Sequence, residues 1–354
     1  MTERSSPTEI PATGRSAVWV ANNEIGIRDV PVVAPGPGEV LVRIHAAGIC
    51  GSDLHAFHSD SPRQHVAGIG PGHELAGVVA ALGPGVAGPP PGTRVAVFAG
   101  RTCGTCEFCR VGRLQLCRGL RFAGVRYPGG MGEYFVAQAG LVYLVPEGMA
   151  WTVAALSEPC AISLHGLKRG GVARGQRILV LGAGTIGLFA ALVARDAGAS
   201  YVGITARYPQ QAAAARALGV DEVFDPGDTG PGSAAAGRNW DLVVETVGGT
   251  APTLQQAIDL AGRGGKIVLL GIHQAPQTIT TTRLWLDELT IVGAWGYDDG
   301  GRHADYDDTL ALLQKYHVVV EPLVTHTYPL EKAAEAFATS VDKRSGAIKV
   351  TVLP

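Results

Sequence analysis

The sequence predicts an α/β protein in which a compact β-rich domain is joined to a doubly wound parallel sheet. Three observations lead to this fold class. The chain has 354 residues, which is too long for one hydrophobic core and fits two domains. Short β-like segments broken by glycine and proline fill its first part. After Pro159, apolar strands alternate with helical stretches, as in parallel α/β sheets.

The overall composition is that of a globular protein without a strongly charged surface. Hydrophobic residues make up 46% of the chain, charged residues 17%, and the net charge is −2, which argues against nucleic-acid or anionic-membrane partners. Residues 1–15 are polar, so we predict a flexible tail and not a signal peptide. No apolar stretch reaches the roughly 18 residues of a membrane helix. We therefore expect a cytoplasmic protein.

The β-rich domain is expected to comprise residues 16–159 and 297–354. Its predicted strands are apolar segments bounded by turn-forming residues. These strands are Val40–His45, Leu75–Leu82, Arg94–Phe98, Tyr134–Ala137, Thr325–Tyr328 and Ile348–Leu353. A helix is predicted over Tyr306–Lys315.

Residues 160–296 are predicted to form the parallel-sheet domain. Its strands read as continuous apolar segments because both faces of such a sheet are covered. They are Arg177–Leu181, Tyr201–Thr205, Leu242–Glu245, Lys266–Leu270 and Leu289–Ala294. The segment Asp225–Arg238 is rich in glycine, proline and alanine and is expected to be a surface loop.

Four cysteines lie within fifteen positions, at Cys103, Cys106, Cys109 and Cys117. Short C-x₂-C loops deliver thiolates to a tetrahedral zinc ion, and four thiolates leave no position open for a substrate. The spacing therefore predicts a structural zinc site. The alternative is a loop of free or disulfide-bonded cysteines, which is disfavoured in a large chain without a signal peptide.

A second set of metal-binding residue types is spread along the chain as Cys50, His73 and Glu158. One sulfur, one nitrogen and one oxygen ligand would leave a fourth position open, which Lewis-acid catalysis requires. Spacing alone does not separate this interpretation from one in which each residue is simply packed or hydrogen-bonded. Cys160, two positions beyond Glu158, is a rival ligand.

A glycine-rich turn follows the strand Arg177–Leu181 and opens an amphipathic helix. This strand–turn–helix context makes the GxGxxG pattern a dinucleotide-binding fingerprint. The first glycine allows the tight turn, the second lets the backbone approach the pyrophosphate, and the third lets helix and strand pack closely. The helix N-terminus receives the negative charge. The cofactor-binding residues predicted here are Gly182, Gly184, Thr185, Ile186 and Gly187.

The residues after the second strand of this domain favour NADP(H) over NAD(H). An NAD enzyme places an acidic residue about twenty positions beyond the fingerprint, where this chain has Ala206 followed by Arg207. A guanidinium can bind a 2′-phosphate through charge-assisted hydrogen bonds, and the Thr205 hydroxyl would add a contact. The alternative is a solvated Arg207 in an NAD enzyme with weakened ribose binding.

Later strand ends are expected to flank the nicotinamide, because ligands bind beyond the carboxyl ends of strands in open α/β sheets. The backbone groups concerned are those of Val247, Ile272 and Ala294.

In their order along the chain, these motifs resemble those of the zinc-containing medium-chain dehydrogenase/reductase (alcohol dehydrogenase) family over roughly residues 16–354. The motifs are Gly48–His55, Gly72–Glu74, the cysteine quartet and the glycine-rich turn. The segment Leu156–Cys160 is most similar to the sorbitol (polyol) and butanediol dehydrogenase branch. The resemblance implies a GroES-like catalytic domain and a Rossmann cofactor domain.

The same resemblance implies the ligands of a catalytic zinc ion. Cys50, His73 and Glu158 would bind the metal, and Glu74 would be an adjacent carboxylate that can exchange onto it. Cys160 would then be a packed thiol.

Four other residues receive roles from the resemblance. Asp53 would accept the free N–H of the ligand histidine and fix its tautomer. Ser52 would contact the substrate oxygen, and His55 would receive the proton on its way to solvent. Lys349 would reach the cofactor pyrophosphate, with a solvated surface lysine as the alternative.

The sequence therefore predicts a zinc-dependent oxidoreductase that transfers a hydride between NADP(H) and a secondary alcohol or ketone resembling a polyol, with two zinc ions per chain. One alternative is an aldehyde or ketone reductase acting on a larger, less polar substrate, because the candidate pocket walls are bulky. These walls are Phe57, His58, Phe122, Tyr127, Met131, Trp295 and Tyr297. A catalytically silent homologue is disfavoured by the complete ligand set. The resemblance also implies a homotetramer or homodimer, with Leu289–Ala294 as a pairing edge.

Overall fold

The structure is a computed structural model, and it describes residues 10–58, 69–125, 127–230, 232–297 and 304–354. Within these ranges, strands β1 to β17 are Thr13–Ala21, Glu24–Pro31, Glu39–Gly48, Glu74–Leu82, Arg94–Phe98, Gly100–Arg101, Arg121–Phe122, Tyr134–Gln138, Val142–Leu144, Arg177–Leu181, Tyr201–Thr205, Glu222–Phe224, Trp240–Glu245, Ala261–Leu269, Thr290–Gly293, Val324–Pro329 and Lys349–Leu353. Helices α1 to α11 are Gly51–Phe57, Glu107–Arg110, Trp151–Ala154, Ser157–Gly170, Thr185–Asp196, Pro209–Ala217, Thr253–Leu260, Thr282–Leu286, Ala304–Lys315, His317–Val320 and Ala333–Val341.

The chain divides into two compact units. The first contains the described residues of Met1–Glu158, Asp299–His317 and Val324–Pro354. The second contains those of Pro159–Asp298 and Val318–Leu323. Across the ranges given above, no helix is both long and apolar enough to cross a bilayer.

A seven-stranded sheet is the frame of the first unit, with the order β16-β17-β3-β4-β5-β9 and with β8 paired to β3. Side chains alternate between the two faces of a strand, and β3 accordingly buries Val40, Val42 and Ile44 in the core of this unit. Aromatic rings extend that core: Trp19 meets Phe337 edge to face with 5.6 Å between ring centroids. Burial of such rings supplies much of the apolar area that stabilises a β-rich domain.

The pairing of β3 with β4 determines where the candidate metal ligands lie. The end of β3 is paired with the start of β4, so that Gly48 lies opposite Glu74. Cys50 follows β3 by two residues, and His73 immediately precedes β4. Two segments more than twenty residues apart in sequence are therefore brought to one edge of the sheet.

The second unit is built on a six-stranded parallel sheet with the order β12-β11-β10-β13-β14-β15. The residues of the central strands are buried, as in Ile178, Leu179 and Val180 of β10. Parallel strands point the same way, so the carboxyl ends of β10, β11, β13 and β14 share one edge. The chain order reverses at β10, and a ligand is expected at this edge, on either side of that strand.

The predicted fold class is confirmed, and several strands match their predictions to the residue. Strands β5, β10 and β11 coincide with the predicted segments. The described part of Asp225–Arg238 contains neither helix nor strand, as predicted for this loop.

Two features of the prediction are wrong. Residues 13–15 are predicted to belong to the N-terminal tail, yet β1 begins at Thr13 and pairs with β2. Arg15 in this strand forms an ion pair with Glu133, at 2.8 Å between Nη2 and Oε1. Strand β14 begins at Ala261, five residues before the predicted Lys266, because it continues through a glycine-rich segment.

Candidate active site

The start of α1 presents the first group of predicted site residues. Cys50 immediately precedes the helix, and its backbone N–H donates to the Asp53 carboxylate at 3.0 Å. This contact satisfies one of the N–H groups that a helix start leaves unpaired. Ser52 and His55 follow on the same helix, three residues apart, a spacing that brings side chains onto one face.

His73 joins this group from the residue before β4. Its Nδ1 lies 3.7 Å from Oδ1 of Asp53, and its Nε2 lies 3.5 Å from Oγ of Ser52. Burial works to lower the pKa of His73, but the Asp53 carboxylate and the Cys50 thiol together raise it well above its usual value. The two ring nitrogens therefore face different partners, and Nε2 points toward the start of α1. Asp53 is the carboxylate on the Nδ1 side of the ring, at a distance longer than a hydrogen bond, and its orienting role stays a prediction.

The donor atoms of Cys50, His73 and Glu74 lie within 4.8 Å of one another. A thiol, an imidazole and a carboxylate at this separation are a ligand set that zinc binds in proteins. Each of the three residues has a donor atom that could bind a metal ion directly. The site is largely closed to solvent because His73 and Glu74 are buried. Glu158 is not part of this cluster.

Glu158 is the second residue of α4 and is buried. Burial raises the pKa of its carboxyl to about 7, against the lowering effect of the nearby His73 charge. The neighbouring Ser157 hydroxyl bonds the Ala154 carbonyl at 2.7 Å and the Tyr306 hydroxyl at 3.1 Å, which fixes the beginning of the helix. Glu158 is thus held near His73 but outside the three-residue cluster.

Lys349 is paired with a carboxylate of the candidate site. The expected partner was a cofactor pyrophosphate, but the lysine ammonium is buried in the first unit and lies 2.7 Å from both carboxylate oxygens of Glu74. It also donates to the Ile49 carbonyl at 3.0 Å. Burial opposes the charge of this lysine, but the Glu74 carboxylate outweighs burial and raises the pKa of Lys349. The lysine is therefore paired with the carboxylate beside His73 and is not a solvated surface residue, whereas its contact with a cofactor pyrophosphate stays a prediction.

The cysteine quartet forms a second, separate cluster. All four sulfur atoms lie within 4.8 Å of one another. Individual Sγ–Sγ distances are 3.5 Å for Cys106–Cys109 and Cys103–Cys117 and 3.9 Å for Cys103–Cys109. Four sulfurs at about 2.3 Å from one ion, at the corners of a tetrahedron, would be about 3.8 Å apart. The spacing therefore fits a zinc ion, and none of the six cysteines forms a disulfide.

The glycine-rich turn has the geometry that a dinucleotide requires. Gly182 has φ +99°, and a Cβ on Gly187 would lie 1.8 Å from the Gly182 carbonyl oxygen, so neither position tolerates a side chain. A Cβ on Gly184 would meet nothing within 4 Å, which leaves the backbone there open to an approaching group. Thr185 and Ile186 begin α5, whose unpaired N–H groups favour a phosphate.

The surroundings of Arg207 agree in part with the prediction. Strand β11 ends at Thr205, so Ala206 and the exposed Arg207 follow the strand as expected. The Thr205 side chain is buried, and its oxygen accepts the N–H of Gly182 at 2.8 Å. Thr205 therefore braces the glycine-rich turn.

Backbone groups at the ends of β13, β14 and β15 lie where the cofactor was expected. Val247 and Ile272 have large exposed fractions, 44% and 58%. Ala294 follows β15, and its N–H donates to the Leu269 carbonyl at 3.2 Å. These positions are open at the carboxyl edge of the sheet of the second unit.

Several predicted pocket walls belong to the hydrophobic core instead. Phe57, Tyr127 and Met131 are buried among the core residues of the first unit. The Tyr127 hydroxyl donates to the Ala99 carbonyl at 2.9 Å, so it is already paired. Of the proposed walls, Phe122 approaches the site, with 5.1 Å between its ring centroid and that of His73. Phe57, Tyr127 and Met131 therefore give little support for a large apolar substrate.

Comparison with known proteins agrees with this geometry. Residues 36–147 match the alcohol dehydrogenase GroES-like domain, and residues 185–315 match the zinc-binding dehydrogenase domain. Sorbitol dehydrogenase from Gallus gallus is 32% identical over 96% of this chain and 96% of its own length. A zinc-binding dehydrogenase from Sinorhizobium meliloti 1021, bound to NADP, superposes with a TM-score of 0.87 at 28% identity, covering 97% of this chain and 100% of the other. A dehydrogenase structure from Escherichia coli CFT073 with NADH has the same TM-score, identity and coverage.

The fold and the two ligand clusters define a zinc-binding dehydrogenase, and the chain belongs to this family. Within the family it is a zinc-dependent oxidoreductase of the alcohol and polyol dehydrogenase type. It combines a GroES-like domain with a Rossmann-like parallel-sheet domain, as the predicted fold class has it.

Proposed function

We propose that this enzyme transfers a hydride between NADP(H) and the carbinol or carbonyl carbon of a secondary alcohol or ketone, with a polyol-like substrate. The observation that carries the proposal is the cluster at α1. There the Cys50, His73 and Glu74 donors lie within 4.8 Å, and the Ser52 hydroxyl lies beside His73. When bound, zinc supplies a Lewis acid for an alcohol or carbonyl oxygen, and a nicotinamide supplies or accepts the hydride.

The ligand set in this proposal is Cys50, His73 and Glu158, with Glu74 as a carboxylate that exchanges onto the metal. The contacts of Glu74 support its assignment as an exchanging carboxylate and not as a permanent ligand. Both of its oxygens are paired with Lys349, which disfavours a permanent bond to a metal. Glu158 is also buried, and the charge of the same histidine acts on its carboxyl, so it is the second carboxylate that we assign to the metal.

The proton-handling residues are Ser52 and His55. The Ser52 hydroxyl would contact the substrate oxygen, and its position 3.5 Å from Nε2 of His73 supports this role. His55 is half-buried on the same helix, where burial lowers the pKa of its imidazole and favours the neutral form that can accept a proton. Asp53 is assigned the role of orienting His73, since its Oδ1 is 3.7 Å from the histidine Nδ1.

The substrate class is tested by offering the zinc-loaded enzyme a panel of polyols, simple secondary alcohols and ketones with each nicotinamide cofactor, followed by absorbance of the reduced cofactor. We expect the highest kcat/KM with a vicinal diol or polyol. A clear preference for bulky aromatic ketones would contradict the polyol assignment and favour the reductase alternative.

Copies of this chain are proposed to associate as a homodimer or homotetramer through the edge of the six-stranded sheet. Strand β15 ends that sheet, and an exposed edge invites pairing. Helix α8 beside it exposes Trp285 (69%) and Leu286 (59%), an apolar surface that association would cover. Light scattering of the enzyme used in the substrate screen gives the mass, and a monomer would contradict this part of the proposal.

The cofactor preference is tested at Arg207. Replacing it by alanine removes the guanidinium that follows β11, and we expect the Kd for NADPH to rise about 10- to 100-fold while the Kd for NADH changes little, since one charge-assisted contact to a phosphate is lost. Binding is measured by quenching of protein fluorescence. Arg216→Ala, in the following helix α6, is the matched control. Unchanged NADPH affinity in Arg207→Ala would leave NAD(H) as the better assignment.

A further inference from the structure

A buried glutamate at the end of β13 organises two loops of the second unit. Glu245 has no solvent exposure. Its Oε1 accepts three hydrogen bonds, from the N–H groups of Val247 (2.8 Å) and Gly248 (2.9 Å) and from the Thr253 hydroxyl (2.7 Å). One carboxylate oxygen thus holds the loop after β13 and the first residue of α7.

The other oxygen of Glu245 has no hydrogen-bond partner among the described residues, although it is fully buried. The group next to it is His273, whose Nε2 lies 3.5 Å from Oε2. Both ring nitrogens of His273 also lack a partner within the described chain. Buried carboxylates and imidazoles without partners are costly, and each is a natural partner for the other.

Glu245 ends β13 and His273 lies in the loop after β14, and the loops after these two strands are hydrogen-bonded to each other through their backbones. The N–H of Gly249 donates to the Ile272 carbonyl at 2.8 Å, and the N–H of Gln274 donates to the Gly249 carbonyl at 3.0 Å. A Cβ on Gly271 would lie 2.3 Å from Oε2 of Glu245, so only glycine lets the second loop cross above the carboxylate. The two loops are therefore joined through their backbones directly beside the Glu245–His273 pair.

We propose that Glu245 and His273 are positioning residues for the nicotinamide half of the cofactor. The inference rests on the proposed function in one respect, namely that the backbone at Val247 and Ile272 flanks the nicotinamide. Pressing the two loops together as the dinucleotide binds brings the imidazole N–H within hydrogen-bonding distance of Oε2. The hydrogen bond that forms in the bound state then contributes to affinity for the dinucleotide and not for its adenosine half.

The test compares two ligands in variants of His273. The ligands are the dinucleotide that the wild type binds more tightly, NADPH or NADH, and its adenosine half, 2′,5′-ADP or ADP. In His273→Leu we expect the Kd for the dinucleotide to rise about tenfold, the size of one hydrogen bond to a charged group, with the Kd for the adenosine half unchanged within about twofold. His273→Gln, which retains a donor, should recover most of the affinity.

Two further variants separate positioning from general damage. Thr253→Val removes a donor to the opposite oxygen of Glu245 without touching His273 and should leave the ratio of the two Kd values as in wild type. Glu245→Gln combined with His273→Leu should raise the Kd for the dinucleotide no more than His273→Leu alone, because the two groups act as one pair. If His273→Leu weakened both ligands equally, or neither, the proposal would be overturned. A wild type that prefers NADH would contradict the Arg207 assignment and leave this test intact.

Discussion

Cys50→Ser is expected to lower kcat/KM by about a thousandfold or more, since a catalytic zinc ion supplies several kcal/mol of stabilisation to the transition state and each 1.4 kcal/mol is about a factor of ten. A serine hydroxyl does not ionise near neutral pH and is a poor zinc ligand in place of a thiolate. The remaining proposed ligands, His73 and Glu158, would then hold the metal weakly. The backbone contact between residue 50 and Asp53 does not involve the thiol, so α1 should still form.

Elemental analysis and steady-state kinetics check this prediction together. Wild type should contain two zinc ions per chain, matching the two clusters, and Cys50→Ser should contain one. Binding of the reduced cofactor to Cys50→Ser should stay within a few-fold of wild type, because the glycine-rich turn belongs to the other unit. Cys160→Ser is the matched control, since this thiol is buried outside both clusters and should leave the zinc content at two. Two zinc ions and normal turnover in Cys50→Ser would remove Cys50 from the ligand set.

The parts of the fold that the sequence predicted best are those in which local pattern and tertiary structure agree. Strand β10 is an apolar segment that ends at Leu181, directly before Gly182, and both the strand and the turn follow from neighbouring residues. Strand β14 was placed too late because Gly262, Gly264 and Gly265 argue against a strand on local propensity. The strand nevertheless begins at Ala261, which pairs with Trp240 of β13, and the register is irregular across the glycines before Lys266 pairs with Leu242.

In the candidate site, too, the features that follow from nearby residues were predictable and those that depend on distant strands were not. The quartet was predictable because its members lie within fifteen positions of each other. The partner of Lys349 was not predictable, because it depends on β17 lying beside β3, 300 residues away in sequence. A lysine in an otherwise apolar strand was the one available signal that it would be buried with a carboxylate. The Glu245–His273 contact likewise depends on the register of β13 with β14.

Cys103→Ser is expected to act on stability, in contrast to Cys50→Ser. The quartet lies in a loop closed at its base by the short pairing of β6 with β7, and no extensive core covers this loop, because Cys103 is exposed and Cys106 and Cys109 are half-buried. Hydrogen bonds from Thr105 lower the pKa of the Cys103 thiol to about 5, whereas burial raises the pKa of the Cys109 thiol to about 12. A bound zinc ion would hold all four as thiolates and tie the loop together.

Loss of one thiolate should therefore release the structural ion and loosen residues 103–117, while the ligands at α1 stay in place. We expect one zinc ion per chain and a thermal midpoint lower by roughly 5–10 °C, which corresponds to a few kcal/mol for a domain of this size. Calorimetry and zinc analysis measure the two effects. Thr105→Ala is the matched control in the same loop, because it removes a hydrogen bond to Cys103 but leaves four thiols and should keep two zinc ions. If Cys103→Ser kept the wild-type midpoint and zinc content, the quartet would not be a structural metal site. If it lost activity as completely as Cys50→Ser while remaining folded, the division between a structural and a catalytic ion would be wrong.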